Sequence, residues 1–180
     1  MSKAVMLSVR PKWCEKIASG EKTIEVRKTK PKLKTPFKCY IYCTLQGCNE
    51  FFRVNLGGDV AKWNRGKWAD RKGNVIGEFT CDRIYELAPL NHAPDDVEKQ
   101  ACLTREEIVN YLKGPGYGWH ISDLHIYDTP KELSEFERPY GCNECDAKWA
   151  TECNACHEEC KIKRPPQSWC YVKAMKEEAE

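Results

Sequence analysis

The sequence predicts a mostly-β α+β domain, with short strands gathered into a barrel-like core and two short flanking helices. Three observations point there. Apolar residues recur at every second position in several separate short runs, the period of strands that turn one face inward. Only two stretches carry helix punctuation, so helices and strands do not alternate as a parallel βαβ fold requires. At 180 residues the chain suits one well-buried core and would crowd two. Residues 1–180 are therefore taken as a single domain, with no internal repeat and no low-complexity linker.

Taken in order, Val5, Leu7 and Val9 sit at alternate positions and predict a half-buried strand. Pro11 then stands where a helix can begin, Trp13 and Ile17 share a face at i, i+4 spacing, and Gly20 can end it. A second strand is expected from Thr23 to Arg27, followed by a basic, proline-punctuated loop from Lys28 to Pro36. Cys39, Ile41 and Cys43 alternate with Tyr40 and Tyr42, a clear β pattern. Asn49 to Gly73 is the least legible stretch, with a Gly57-Gly58 turn and with Trp63 and Trp68 set among basic residues. Val75, Gly77, Phe79 and Cys81 form one face of another strand. Thr104 and Glu107 make a capping box for a helix through Leu112, with Gly114 as its stop. Two more strands are expected near Trp119–Tyr127 and Ser168–Lys173.

The formal net charge is only +2, so total charge selects no partner. Its distribution says more. Residues 1–38 hold eleven Lys/Arg against three Glu, an excess of eight. A local positive field of that size suits a polyanion, nucleic acid first among them, although a solvated basic face is the plainer account. No apolar run approaches membrane-span length, and Met1–Arg10 lacks the layout of a signal peptide. A cytoplasmic protein with no membrane partner is expected. Disulfides rarely persist in that compartment, so the twelve cysteines are expected as free thiols or metal ligands. Cys14, Cys39, Cys43, Cys48, Cys81 and Cys102 are scattered, several at apolar positions of the expected strands.

Of the remaining cysteines, Cys170 stands apart in the last expected strand and the other five crowd together. Cys142, Cys145, Cys153 and Cys156 form two CxxC knuckles joined by a short loop, inside a cysteine-rich stretch over 141–164 that precedes the last strand. Zinc takes four soft ligands in a tetrahedron, and paired CxxC turns supply them with little backbone strain. His157 and Cys160 are available substitutes, so six candidates compete for four places. A site filled by four protein ligands has no open position for substrate, so this zinc is expected to be structural.

The most informative charges lie in Ser19–Arg27, which reads SGEKTIEVR. In a strand starting at Thr23, Glu25 and Arg27 share one face while Ile24 and Val26 take the other. Lys22, at the helix-to-strand turn, can reach the side of Glu25, which sets a carboxylate between two cations. The pattern Gly20-x-Lys22-x-x-Glu25-x-Arg27 is similar to the GxKxxExR signature of ASCH domains, relatives of the PUA RNA-binding fold. It follows a Ser8-Val9-Arg10-Pro11 passage from strand to helix that is also typical, and residues 73–84, 119–136 and 164–172 resemble later strands of phage and bacterial ASCH proteins. The resemblance touches most of the chain except Gln46–Lys72 and the cysteine cluster.

What the resemblance implies is a PUA-like pseudo-barrel whose cleft is lined by the signature and holds RNA or a nucleoside. Lys22, Glu25, Arg27 and Arg10 are the ligand-binding residues it implies. Some small bacterial relatives are amidohydrolases that deacetylate acetylated cytidine, with a lysine at the position of Lys22 as base and a threonine at the position of Glu25 as nucleophile. Glu25 departs from that pattern. If the chain is an enzyme, Lys22 and Glu25 would be catalytic, directing a water at a carbonyl carbon while Arg27 steadies the oxyanion. Thr23 is expected on the side of Glu25 and is a second candidate hydroxyl. The leading expectation is a module that binds RNA or a modified nucleotide. A hydrolase acting on a modified nucleoside comes second, and a protein-interaction domain with a vestigial cleft third.

Three further features are weighed. Trp63 and Trp68 are expected to pack against the barrel, with stacking on unpaired bases as the alternative. Trp169 and Tyr171 share one face of the last strand and are expected to line or close the cleft. His120 and His125 differ in side-chain direction, which argues against a shared metal, and His120 is expected near the cleft.

Overall fold

The strand predicted around Val5–Val9 runs from Lys3 to Val9 (β1) and lies inside a five-stranded sheet, with a neighbour on each side. The structure is a computed structural model and describes residues 2–45, 73–87, 93–139 and 160–175. Every residue of β1 after Lys3 is buried, which overturns the expectation of one solvated face. Val5, Leu7 and Val9 enter one apolar cluster, and Ala4 and Met6 enter another on the opposite side. A central strand covered on both faces loses the polar half of its alternation.

β1 pairs in parallel with β3 (Phe37–Cys43) and antiparallel with β8 (Trp169–Lys173). β4 (Val75–Cys81) and β7 (Ser122–Lys131) complete the order β7-β4-β3-β1-β8. A parallel pair needs a crossover rather than a hairpin. Here the crossover carries α1 (Pro11–Ala18), β2 (Ile24–Arg27) and the basic loop, and so lays the charged signature across the large sheet. β2 pairs with β6 (Tyr117–His120), which pairs with β5 (Ile84–Glu86) in a second, three-stranded sheet.

The mostly-β class thus stands, but the described strands form two open sheets and no closed barrel. The segment expected as one strand over Trp119–Tyr127 is divided between them. β6 ends at His120, β7 begins at Ser122, and Asp123 adopts a left-handed φ of 46° as the chain changes sheet. The two sheets share a core. Trp119 from the small sheet is fully buried against Phe37 of the large one, with ring centroids 5.9 Å apart. Cys39, Cys43 and Cys81 are part of that core, as their apolar strand positions suggested, and Cys14 joins them from α1.

Two further layers close the outer faces. Behind the large sheet, Phe136 packs on Tyr40 at 4.9 Å, with Ile162 and Val172 beside it. Behind the small sheet, Ile24 and Val26 meet Val97 and Ala101 of α2 (Val97–Ala101) and Ile108 and Leu112 of α3 (Arg105–Leu112). The capping box of α3 is formed as expected. The Thr104 hydroxyl accepts from Glu107 N at 3.2 Å, and the Glu107 carboxylate accepts from Thr104 N at 2.7 Å. The stop falls one residue earlier than expected, on Lys113 with φ 53°. α2 and β5 were not anticipated, being only five and three residues long. Trp63, Trp68 and the Gly57-Gly58 turn lie outside the described residues.

Phe136 is 1% exposed and remote from the charged signature. Phe136→Ala is expected to cost about 3–5 kcal/mol in urea denaturation, the usual range for a buried phenylalanine, while leaving any binding at the cleft intact once folded.

Candidate functional site

The site is built where α1 hands the chain to β2. Gly20 takes the left-handed φ of 77° that ends the helix, and Lys22 N donates back to Lys16 O at 2.9 Å, closing the turn. Strand alternation then acts as the sequence predicted. Ile24 and Val26 enter the helix-side core, while Glu25 and Arg27 face the junction of β1 and α1. Nothing in the local pattern marked all three charges as enclosed. Lys22 is 2% exposed, Glu25 7% and Arg27 6%.

Their contacts are specific. Glu25 Oε1 accepts from Arg27 Nη2 at 3.0 Å, and Glu25 Oε2 lies 3.4 Å from Lys22 Nζ. Lys22 Nζ also donates to the carbonyl of Ala101 at 2.7 Å, a terminal carbonyl of α2 without a partner inside the helix. Arg27 Nη2 donates to Ser8 O at 2.8 Å and Arg27 Nη1 to Ser168 Oγ at 3.3 Å. Arg27 Nε is buried without a partner among the described residues. Taking charges from water costs several kcal/mol each unless good geometry offsets it. Here a carboxylate and two backbone carbonyls provide that offset, and two cations against one anion leave one positive charge.

These side chains form the floor of a cleft of about 450 Å³. Lys22, Glu25, Arg27 and Arg10 all line it, so the structure brings together the four expected ligand-binding residues. Arg10 is exposed and stands at the N-cap of α1. Two aromatic walls were missed. Trp13, on the helix face it shares with Ile17, is half-buried and lines the cleft, with Lys22 Nζ 5.1 Å from its ring centre. Tyr111 of α3 lines it too, 44% exposed, with Lys28 Nζ 5.5 Å from its ring. A solvent-facing aromatic on an amphipathic helix carries no periodic signal, so nothing local marked Tyr111.

Other expectations are redirected. The Thr23 hydroxyl faces Gln100 Oε1 at 3.3 Å and does not line the cleft, because Thr23 precedes β2 and is held by α2 instead. His120 Nδ1 pairs with Asp82 at 2.6 Å, away from the cleft. Trp169 and Tyr171 neither line nor close it. They pack on the shared core and hold the basic loop, with Trp169 Nε1 donating to Thr29 Oγ1 at 2.9 Å and Lys32 N donating to the Tyr171 hydroxyl at 2.7 Å. The loop lysines therefore diverge. Lys28 stays beside the cleft, Lys30 pairs with Glu86 at 3.1 Å, and Lys34 lines a separate depression with Lys3 and Lys38.

Beneath the site, burial pushes the Cys14 thiol well above its usual range, and its contact with Cys43 and the charge of Glu25 add to the shift. Burial likewise raises Cys81 to about 12. Such thiols stay protonated and unreactive at neutral pH. The proposed metal ligands Cys142, Cys145, Cys153, Cys156 and His157 lie outside the described residues. Cys160 is described and buried. Around it the two stems of the cysteine-rich segment meet: Glu137 bridges Lys161, Arg138 N donates to Cys160 O and Ile162 N to Phe136 O, both at 2.8 Å. Among the described residues no group of three potential ligands converges.

No protein-family model and no curated protein sequence matches the chain. Solved structures do. The crystal structure of ASCH from Zymomonas mobilis aligns with TM-score 0.54 over 94% of this chain and 87% of that one, at 18% identity. A tyrosine-to-phenylalanine mutant of the same protein gives TM-score 0.56 over 96% and 91%, at 17% identity. The chain therefore has the fold of an ASCH domain, in the PUA-like class. At this identity the likeness is one of fold. No helix among the described residues is long and apolar enough to cross a membrane.

Removing Glu25 would strand two buried cations. Glu25→Ala is expected to cost about 3–5 kcal/mol of stability, the range for breaking a buried ion pair from one side, and Glu25→Gln less, since an amide oxygen still accepts. Urea denaturation of both variants checks the difference.

Proposed function

We propose that the chain is a binding module that takes one nucleotide, within RNA or as a free modified nucleotide, into the cleft floored by Lys22, Glu25 and Arg27. The observation that carries this reading is the buried three-residue cluster, with one excess positive charge, at the bottom of a bounded cleft between two aromatic side chains. A volume of about 450 Å³ falls among ordinary small-ligand sites. Trp13 and Tyr111 offer flat apolar faces to a base, while Arg10 and Lys28 supply charge for phosphate at the mouth. Only Lys28 of the basic loop contributes there, which favours a short ligand over a long tracked strand.

The hydrolase reading asks for an activated hydroxyl or water beside Lys22. Thr23 is committed to Gln100, Glu25 is held between two cations, and Lys22 is fixed by a carbonyl and a carboxylate. Those commitments suit recognition better than turnover. The proposed setting is the cytoplasm, where thiols stay reduced. For the cysteine-rich segment we propose one structural zinc held by four of Cys142, Cys145, Cys153, Cys156, His157 and Cys160. The paired stems at Glu137–Lys161 support a closed loop of the kind a metal knuckle completes.

Two measurements test these readings. In fluorescence anisotropy with short single-stranded RNAs, Lys28→Ala should weaken all sequences alike and flatten the salt dependence by about one phosphate contact. Arg27→Lys should instead erode selectivity, because the planar fork is lost while the charge stays. A folded Arg27→Lys protein that binds with unchanged affinity and selectivity would count against the cleft. Elemental analysis should find roughly one zinc per chain, and chelation should lower the melting temperature. An unchanged melting temperature after the metal is stripped would remove the structural role.

A further inference from the structure

We infer that the cleft selects the imide edge of a uracil-type base, an inference that rests on the nucleotide-binding reading and sharpens it. It comes from counting the hydrogen-bonding capacity that the cluster leaves unspent. Lys22 has three N–H groups. One is given to Ala101 O and one is directed at Glu25, which leaves one. Arg27 has five, of which three are directed at Ser8 O, Glu25 and Ser168 Oγ. Nε–H is among the remainder, and that nitrogen is buried without a partner among the described residues. Each Glu25 oxygen meets one cation and retains lone-pair capacity. On this inference the floor sets an acceptor, Glu25, between the spare donors of Lys22 and Arg27, all three residues lining the cleft.

The complement of that pattern is an acceptor, a donor and an acceptor. Among the common bases only uracil and thymine present it, as the carbonyl, N3–H and carbonyl of an imide. Cytosine would turn the N3 lone pair toward the Glu25 carboxylate and its amino group toward a cation. Guanine would match at O6 and N1–H but set its amino group against the second cation. Adenine offers no central donor. Each mismatch leaves a buried charged group facing the wrong partner, which costs about a tenfold loss of affinity or more. Exchanging the two carbonyls of the imide leaves the pattern unchanged, so the floor reads the edge and the mouth decides where the ribose lies. The N3–H to Glu25 bond is charge-assisted, and the surplus positive charge of the cluster favours a ring N–H acidic enough to use it.

The test is isothermal titration of the full chain with UMP, CMP, AMP and GMP at neutral pH, together with UMP methylated at N3 or at C5. UMP is expected to bind at least about tenfold tighter than the other three nucleotides. N3-methylation should cost a similar factor, since it removes the central donor, whereas C5-methylation, away from this edge, should leave affinity unchanged. Glu25→Gln turns an amide toward the base and should narrow the gap between UMP and CMP. The methylated ligands probe the wild-type protein, so the test survives if that variant is unstable. If nucleotides bind but CMP equals UMP, or the N3-methyl compound equals UMP, the uracil inference is overturned and the binding reading stands. If no nucleotide binds, both fall.

Discussion

Enclosing Glu25 between Lys22 and Arg27 is the constraint on which the rest of the architecture depends. The three side chains are almost fully buried, and none could be so without the other two. Their remaining hydrogen bonds reach into three layers. Lys22 is tied to the last residue of α2 through Ala101 O. Arg27 is tied to β1 through Ser8 O and to the residue before β8 through Ser168 Oγ. The cluster thus joins the helix layer, the small sheet and the large sheet at one point. It is at once a structural joint and the floor of the cleft.

This double role shapes what the site can do. On the proposed reading, groups fixed by so many partners would recognise a ligand of one geometry. Rigidity of that kind is what selective binding requires, because the donors and acceptors are positioned before the ligand arrives. The aromatic walls and the mouth lie on α1 and α3, each anchored by its own apolar face through Ile17, Ile108 and Leu112. The basic loop is likewise held by Trp169 and Tyr171, so its lysines are distributed around the molecule instead of pooled along one groove.

The resemblance to the Zymomonas mobilis ASCH structures fits this picture at the level of fold. With 17–18% identity across nearly the whole chain, the shared feature is the fold. The reading of function therefore rests on the side chains that this chain itself sets into the cleft. The cysteine-rich segment is separate in kind. Its stems meet on the far side of the large sheet, beside Phe136 and Ile162.

Much of the local structure was determined by the sequence alone. Ile-Glu-Val-Arg at 24–27 can only place its apolar and charged residues on opposite faces of a strand, and Thr104 with Glu107 can only cap a helix in one way. The resemblance to the GxKxxExR signature also singled out Lys22, Glu25, Arg27 and Arg10 as cleft residues. These features depend on neighbours a few positions apart, which is the range over which backbone geometry transmits order. Tertiary structure decided the rest. It covered β1 on both faces, divided Trp119–Tyr127 between two sheets, turned Thr23 toward Gln100, and brought Trp13 and Tyr111 to the rim. It also determined that three charges would be buried together, because the partners that make this tolerable, Ser8, Ala101 and Ser168, come from distant parts of the chain. Periodicity shows which way a side chain points, but what waits there depends on long-range packing.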